Sequence, residues 1–323
     1  MQGIWNFIQK SMRYVTLLVV FMLSGCSLLF PDSGPVNEQP IAIVAPPAVA
    51  PFPRKRVAPP ELPAVAIVLT SRQPAYADVA SELTEHFKDF EIYDLSDRSE
   101  PPVSVLRRIN DSNSRAVVAV GLRAAQSSVA MAEMPVIFAQ VFNYQDHDLL
   151  SSTSRGIAAL PPLDAQLSAW KNIDPTIKRI GAILGEGHED LIADAKVAAQ
   201  RYDMEIEVRI SHSDQETLYF FRRMIRDIDG FWLFPDNRIL SGRVLQQMLH
   251  EANRQHVPVV VPNESMLAMG ADISMSTVAS DIAKTIVKVV RQIQAGNLEQ
   301  VPPISELSEI LIKTNDAIQV ADR

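Results

Sequence analysis

Thiols are almost missing from this chain: Cys26 is the single cysteine in 323 residues. A lone cysteine closes no intrachain disulfide and supplies no thiolate set for zinc. The core must therefore hold the fold. An excess of positive charge is missing too. With 30 basic and 38 acidic residues the net charge is -8, which argues against a nucleic-acid partner. No Gly-x-Ser-x-Gly elbow, P-loop or glycine-rich dinucleotide fingerprint occurs. His86, His147, His188, His212, His250 and His256 show no metal-ligand spacing. The expectation is a protein that is not an enzyme and takes neither cofactor nor metal. The apolar run from Tyr14 to Met22 falls short of the roughly 20 residues of a comfortable transmembrane helix.

What is present divides into three zones. Residues 1–25 read as a secretory signal: Lys10 and Arg13, the short apolar run, then small residues before Cys26. Leu23-Ser24-Gly25-Cys26 resembles the lipobox of bacterial lipoproteins. That resemblance implies lipidation of Cys26, cleavage before it, and a lipid anchor on the periplasmic side of a bacterial membrane. Ser27 favours the outer membrane over the inner one, because in enteric-type bacteria Asp after the lipidated cysteine retains a lipoprotein at the inner membrane. With Cys26 lipidated, no free thiol is left for nucleophilic chemistry.

Residues 26–62 carry Pro31, Pro35, Pro40, Pro46, Pro47, Pro51, Pro53, Pro59 and Pro60 among alanine and valine. Each proline removes a backbone donor and fixes φ, so a packed element is not expected. Such a stretch suits either an extended polyproline spacer or plain disorder. At about 3.1 Å per residue it spans up to roughly 100 Å. The cluster Arg54-Lys55-Arg56 lies within it.

From Ala64 the pattern is globular, with 47% hydrophobic and 21% charged residues overall. Ala64–Leu69, Phe90–Tyr93, Ala116–Val120 and Pro135–Phe138 read as strands, with helices over 75–87, 103–110 and 123–133 between them. A second series has strands at Arg179–Leu184, Met204–Ile210, Gly230–Phe234 and Val257–Val261, with Pro258 suggesting a strand start or an edge. Its helices fall near 188–202, 215–228, 241–255 and 278–295. Short continuous apolar runs alternating with helices indicate parallel sheets covered on both faces. Two series predict an α/β protein with two doubly wound parallel-sheet lobes.

The order of local motifs is similar to that of ABC-transporter substrate-binding lipoproteins with the type 1 periplasmic-binding-protein fold. The motifs are Ala116-Val-Val-Ala-Val-Gly121, Pro135-Val-Ile-Phe-Ala-Gln140, Leu160-Pro161-Pro162-Leu163-Asp164, Lys178-Arg-Ile-Gly-Ala-Ile-Leu184, Phe234-Pro235-Asp236-Asn237 and Gly270-Ala271. The stretch Ser274–Ser280 departs from that pattern, with Val278 and Ala279 where the family has acidic and aromatic residues. The resemblance implies two lobes joined by a three-segment hinge. The expected boundaries are lobe I at 63–143 with 277–300, and lobe II at 144–276 with 301–315, with crossings near 143–155, 274–278 and 297–303.

Ligands of such folds bind outside the carboxyl ends of strands. That rule selects Thr70, Ser71, Arg72, Gly121, Arg123, Gln140 and Asn143 in lobe I. In lobe II it selects Glu186, His188, Asp236, Asn237, Asn263 and Glu264. Ser71, Arg72, Gly121, Arg123, Gln140, Asp236, Asn237 and Asn263 form the expected ligand-binding set. Helix-start amides after Gly121 with Arg123 would hold a ligand carboxylate, and Asp236 would accept from a ligand ammonium. The resemblance implies a small polar, amino-acid-like solute and an ABC permease as partner. The rival expectation is a regulatory or scaffolding lipoprotein that engages another envelope protein.

Overall fold

The computed structural model describes residues 61–236 and 238–315. The signal segment, Cys26, nearly all of the proline-rich tether, and Asn237 lie outside the described residues. No helix among the described residues is long and apolar enough to cross a membrane.

The first sheet is built from β1 (Val65–Leu69), β2 (Phe90–Asp94), β3 (Ala116–Val120), β4 (Val136–Ala139) and β5 (Ser154–Ile157), closed by β11 (Ile304–Ser305). Its order is β11-β5-β4-β3-β1-β2, and every pairing is parallel. The second sheet holds β6 (Arg179–Leu184), β7 (Glu205–Ile210), β8 (Gly230–Trp232), β9 (Val259–Val261), β10 (Ile273–Ser276) and β12 (Leu311–Thr314). Its order is β12-β10-β9-β8-β6-β7, with β12 antiparallel to β10. Pro258 sits just before β9, a central strand, and its carbonyl accepts from Phe231 N. The proline thus costs the ladder no donor there.

Helices α1 (Pro74–His86), α2 (Pro102–Asn110), α3 (Leu122–Met131) and α8 (Ala279–Gln294) cover the first sheet. Helices α4 (Leu163–Ile173), α5 (Glu189–Gln200), α6 (Asp214–Met224) and α7 (Gly242–Gln255) cover the second. The period-2 alternation of a strand explains why both faces are apolar. Val65, Ile67 and Leu69 meet Leu83 of α1 and Ile286 of α8, while Ala66 and Val68 meet Leu106 and Ile109 of α2. In the second sheet Phe231 and Val259 face α6 and α7, and Trp232 and Val260 face α4 and α5. Burying each Val, Ile, Leu or Phe contributes about 1.5–3 kcal/mol, so these four clusters hold the fold.

The helix starts follow local chemistry. Pro74 and Pro102 occupy first-turn positions of α1 and α2, where no amide donor is needed. Ser213 and Ser241 cap α6 and α7, accepting from Glu216 N and Val244 N.

Sheet membership corrects the expected boundaries. Residues 144–157 and 301–305, expected in lobe II, run with the first sheet through β5 and β11. The chain passes between the sheets at 158–162, 277–278 and 306–310. The first and third crossings therefore lie further along the chain than expected. β5 escaped the reading because its sequence, Ser154-Arg155-Gly156-Ile157, has no apolar run although all four residues are buried. The Arg155 guanidinium is answered there by the carbonyls of Ser151, Ser154, Leu298 and Val301.

Candidate functional site

A cavity of 250 Å³ lies at the carboxyl ends of strands from both sheets. Gln73 and Tyr76 follow β1, Leu122 follows β3, and Gln140–Asn143 follow β4. Pro235 follows β8 and Asn263 follows β9. Tyr76 and Phe142 supply aromatic surface, and Gln73, Gln140, Asn143 and Asn263 supply amides. None of the described residues that line it is Asp, Glu, Lys or Arg. A second space of 480 Å³ runs along the first and third crossings against α5, and Phe142 lines both.

Gly121 shapes the first wall. Its φ of +85° is one that residues with a side chain rarely adopt, and a Cβ there would stand 2.8 Å from Thr70 Oγ1 and from the Tyr76 ring. Glycine is what lets β3 turn into α3 beneath Tyr76. Thr70 Oγ1 accepts from Ala124 N at 3.0 Å, satisfying one amide of the α3 amino terminus. Gln140 is held at φ 58°, and its Nε2 donates to Thr277 Oγ1 at 3.1 Å. This bond ties the end of β4 to the second crossing.

Beside the cavity is a buried polar cluster that joins the lobes. Asn143 Nδ2 donates to Asp236 Oδ1 at 3.1 Å, and Gly185 N donates to Asp236 Oδ2 at 2.8 Å. Arg238 grips the same carboxylate with Nε at 2.8 Å to Oδ1 and Nη2 at 2.7 Å to Oδ2. Its Nη1 reaches Asp146 Oδ2 at 2.6 Å, and Nη2 also donates to the Glu186 carbonyl at 3.0 Å. His188 Nε2 lies 2.9 Å from Asn143 Oδ1 and 2.9 Å from Arg238 Nη2. As a donor it serves the first; as an acceptor, the second. Burial pushes the Asp236 carboxyl up, but hydrogen bonds from Arg238, His188 and Gly185 and the charge of Arg238 outweigh it. The group is held far below the usual carboxylate range. Gly185 makes room for this grip, since a Cβ would stand 2.7 Å from Arg238 Nη2 and 2.9 Å from Asp236 Oδ2.

The residues selected from the sequence divide accordingly. Gln140 and Asn263 line the cavity, although Asn263 Oδ1 is engaged by Ser265 N at 2.9 Å as a helix cap. Gly121 shapes the wall without lining it. Asp236 is buried beside the cavity, with its carboxylate taken up by Arg238 rather than open to a ligand ammonium. Arg72 turns away from the cleft to pair with Asp94 at 3.1 Å on the β2 edge. Arg123 is exposed and does not line the cavity. Ser71 Oγ is buried and has no hydrogen-bond partner among the described residues. Asn237 and the lipidation candidate Cys26 lie outside the described residues. Arg238 was missed, though it stands two residues after Asp236 in the sequence. Nothing local signals its partner Asp146, 92 residues earlier.

Two doubly wound lobes, three crossings and a cavity between opposed strand ends define a type 1 periplasmic-binding-protein fold. The chain belongs to the ABC transporter substrate binding protein family, whose sequence pattern matches residues 85–317. No curated protein sequence matches the chain. Among solved structures, an ABC domain in complex with L-Trp from Streptococcus pneumonia is similar at 18% identity and a TM-score of 0.56, covering 80% of this chain and 94% of that one. A conserved domain protein from Vibrio cholerae is similar at 18% identity and a TM-score of 0.54, covering 81% and 95%. The ligand-free, open form of a substrate binding protein with adhesive properties from Clostridium difficile gives 14% identity and a TM-score of 0.59, covering 80% and 94%. At these identities the likeness is one of fold.

Proposed function

We propose that this protein is a lipid-anchored solute-binding protein on the periplasmic side of a bacterial membrane, serving an ABC-type uptake system. It takes a small polar solute into the cavity between its lobes and closes over it by the hinge. The observation that carries this reading is the 250 Å³ cavity, walled from both sheets by aromatic surface and amides at strand ends. Three crossings between the sheets permit hinge closure around a ligand. Binding is non-covalent, and the reading includes no catalytic step.

The test is a thermal-shift screen of the full chain against amino acids, nucleosides, sugars and carboxylic acids. Stabilisation by one class, weakened by Gln140→Ala, supports the reading; no stabilisation by any of them contradicts it. Anchoring is tested separately by Cys26→Ala, which is expected to leave a soluble or unprocessed form in fractionation. Unchanged membrane association would contradict a lipid anchor.

One observation favours a second reading, an envelope lipoprotein that engages another envelope protein without transport. Ser27 follows Cys26, which suits sorting to the outer membrane, away from an inner-membrane permease. Recovery of the protein only in inner-membrane fractions would remove that support.

A further inference from the structure

We propose that the outer edge of β7 is a self-pairing surface, on which a second copy of this chain lays its own β7 antiparallel and extends the second sheet. The surface is independent of the solute cavity. β7 ends its sheet, and among the described residues no strand pairs with its outer side. Two backbone bonds fix which groups face inward: Glu205 N donates to the Lys178 carbonyl at 2.7 Å, and Ser211 N to the Leu184 carbonyl at 2.8 Å. Residues 205, 207, 209 and 211 therefore turn their N–H and C=O groups to β6, and Ile206, Val208 and Ile210 turn theirs outward. Such outward groups are a template for another strand. No proline, glycine or lysine guards them in Glu205-Ile-Glu-Val-Arg-Ile210. A groove of 550 Å³ between β7 and α6, lined by Glu207, Arg209 and Tyr219 among others, leaves one face of the strand open.

Charge complementarity selects a second copy as the occupant. Two identical edges related by a two-fold axis run antiparallel, and the axis must pass through a residue so that like faces stay together. With the axis at Val208, Glu207 of each copy faces Arg209 of the other, and Glu205 falls opposite Ser211. These are the non-hydrogen-bonded pairs, in which side chains stand closest. Moved one residue either way, the axis sets Glu207 against Glu207 or Arg209 against Arg209, and like charges oppose pairing. On the other face the Val208 register lays Ile206 against Ile210 and Val208 against Val208. Ile206 and Val208 already pack with the apolar cluster under α4 and α5, and Ile210 is 36% exposed in the single copy, so the row continues that cluster and covers Ile210. The other sheet edges lack this pattern. β2 carries Glu91 and Asp94 with no basic residue, β11 has two residues, and β12 has four with Lys313 held by Glu264.

The experiment is sedimentation equilibrium of the full chain in density-matched detergent, from about 1 μM to about 1 mM, the range of a small, transient interface. It compares the native protein with Glu207→Arg, Arg209→Glu, the two together, and Val208→Pro. The native chain is expected to pass from monomer to dimer mass, and the Ile206, Val208 and Ile210 amides to exchange hydrogen more slowly as it does. Each single charge reversal sets like charges opposite one another and should weaken dimerisation at least tenfold. The two single variants mixed together should pair, and the double reversal should pair with itself, because every cross-strand pair is again of opposite sign. Val208→Pro removes an N–H that points away from β6, so it should keep the fold, read by thermal melting, and lose the dimer. A native chain that stays monomeric over the whole range would overturn the proposal, as would dimerisation that the single reversals leave unchanged. Loss in the single variants with no recovery in their mixture or in the double reversal would also overturn it. So would a monomeric native chain whose three outward amides are already protected, since a different strand would then occupy the edge.

Discussion

Arg238 Nη1 lies 2.6 Å from Asp146 Oδ2, and the two residues belong to different lobes. Asp146 stands between β4 and β5 of the first sheet, and Arg238 follows β8 of the second. The same guanidinium holds buried Asp236, which also accepts from Asn143 of the first lobe. One arginine therefore fastens the lobes together and neutralises the carboxylate beside the cavity.

Replacing that arginine should loosen the pair of lobes. Arg238→Ala leaves Asp236 buried with its remaining amide donors. The expected loss of unfolding free energy is about 2–3 kcal/mol, the scale of a hydrogen-bonded charge left partly unpaired. Small-angle scattering should show a larger radius of gyration than for the native protein. An unchanged radius and unchanged stability would contradict the clasp.

The pH dependence follows from the depressed Asp236 carboxyl. A carboxyl held below its unfolded value of about 3.9 contributes stability that is full above that pH and lost progressively as pH falls below it. The melting temperature of the native protein should therefore exceed that of Asp236→Asn by a constant margin from pH 5 to pH 8. The margin should shrink below about pH 4. A margin that grows on acidification has the wrong sign for this account.

Gly121 and Gly242 offer a matched comparison. A Cβ at Gly121 meets Thr70 Oγ1 and the Tyr76 ring at 2.8 Å with φ at +85°, whereas one at Gly242 meets nothing within 4 Å. Gly121→Ala should cost about 1–3 kcal/mol, the scale of a strained backbone position, and should weaken solute binding by displacing Tyr76. Gly242→Ala, in the first turn of α7, should be neutral or stabilising by up to about 1 kcal/mol. Equal effects in urea unfolding would contradict the reading of Gly121.

Asp281 anchors the third crossing. It is buried in the first turn of α8 and accepts from Ser308 N at 2.7 Å, Glu309 N at 2.9 Å and Ser308 Oγ at 2.9 Å. Burial pushes its carboxyl up, and these bonds more than offset that, holding it below its usual range. Asp281→Ala should speed amide hydrogen exchange across 306–309 while leaving β6 and β8 unchanged. Unaltered exchange at Ser308 and Glu309 would contradict this anchoring.

The fold was legible wherever burial on both faces wrote itself as an apolar run. Ala116–Val120 and Arg179–Leu184 are strands with the bounds read from the sequence. β5 was not legible, because Arg155 is buried among backbone carbonyls supplied partly by residues about 140 positions later. That omission displaced the first crossing. At the site, strand-end position was legible for Gln140, Asp236 and Asn263, but side-chain direction was not. Arg72 turns to Asp94, and Asp236 is claimed by Arg238; both outcomes depend on tertiary partners that no local pattern reports.

The most direct measurement is calorimetric titration of the full chain with a solute that stabilises it, repeated on Gln140→Ala with Phe142→Ala. Gln140 and Phe142 line the cavity between the lobes. The native protein is expected to show saturable binding of a small polar solute, and the double variant at least a tenfold loss of affinity. Binding that survives both substitutions, or titration heats that show no saturable solute at all, would contradict the solute-binding reading.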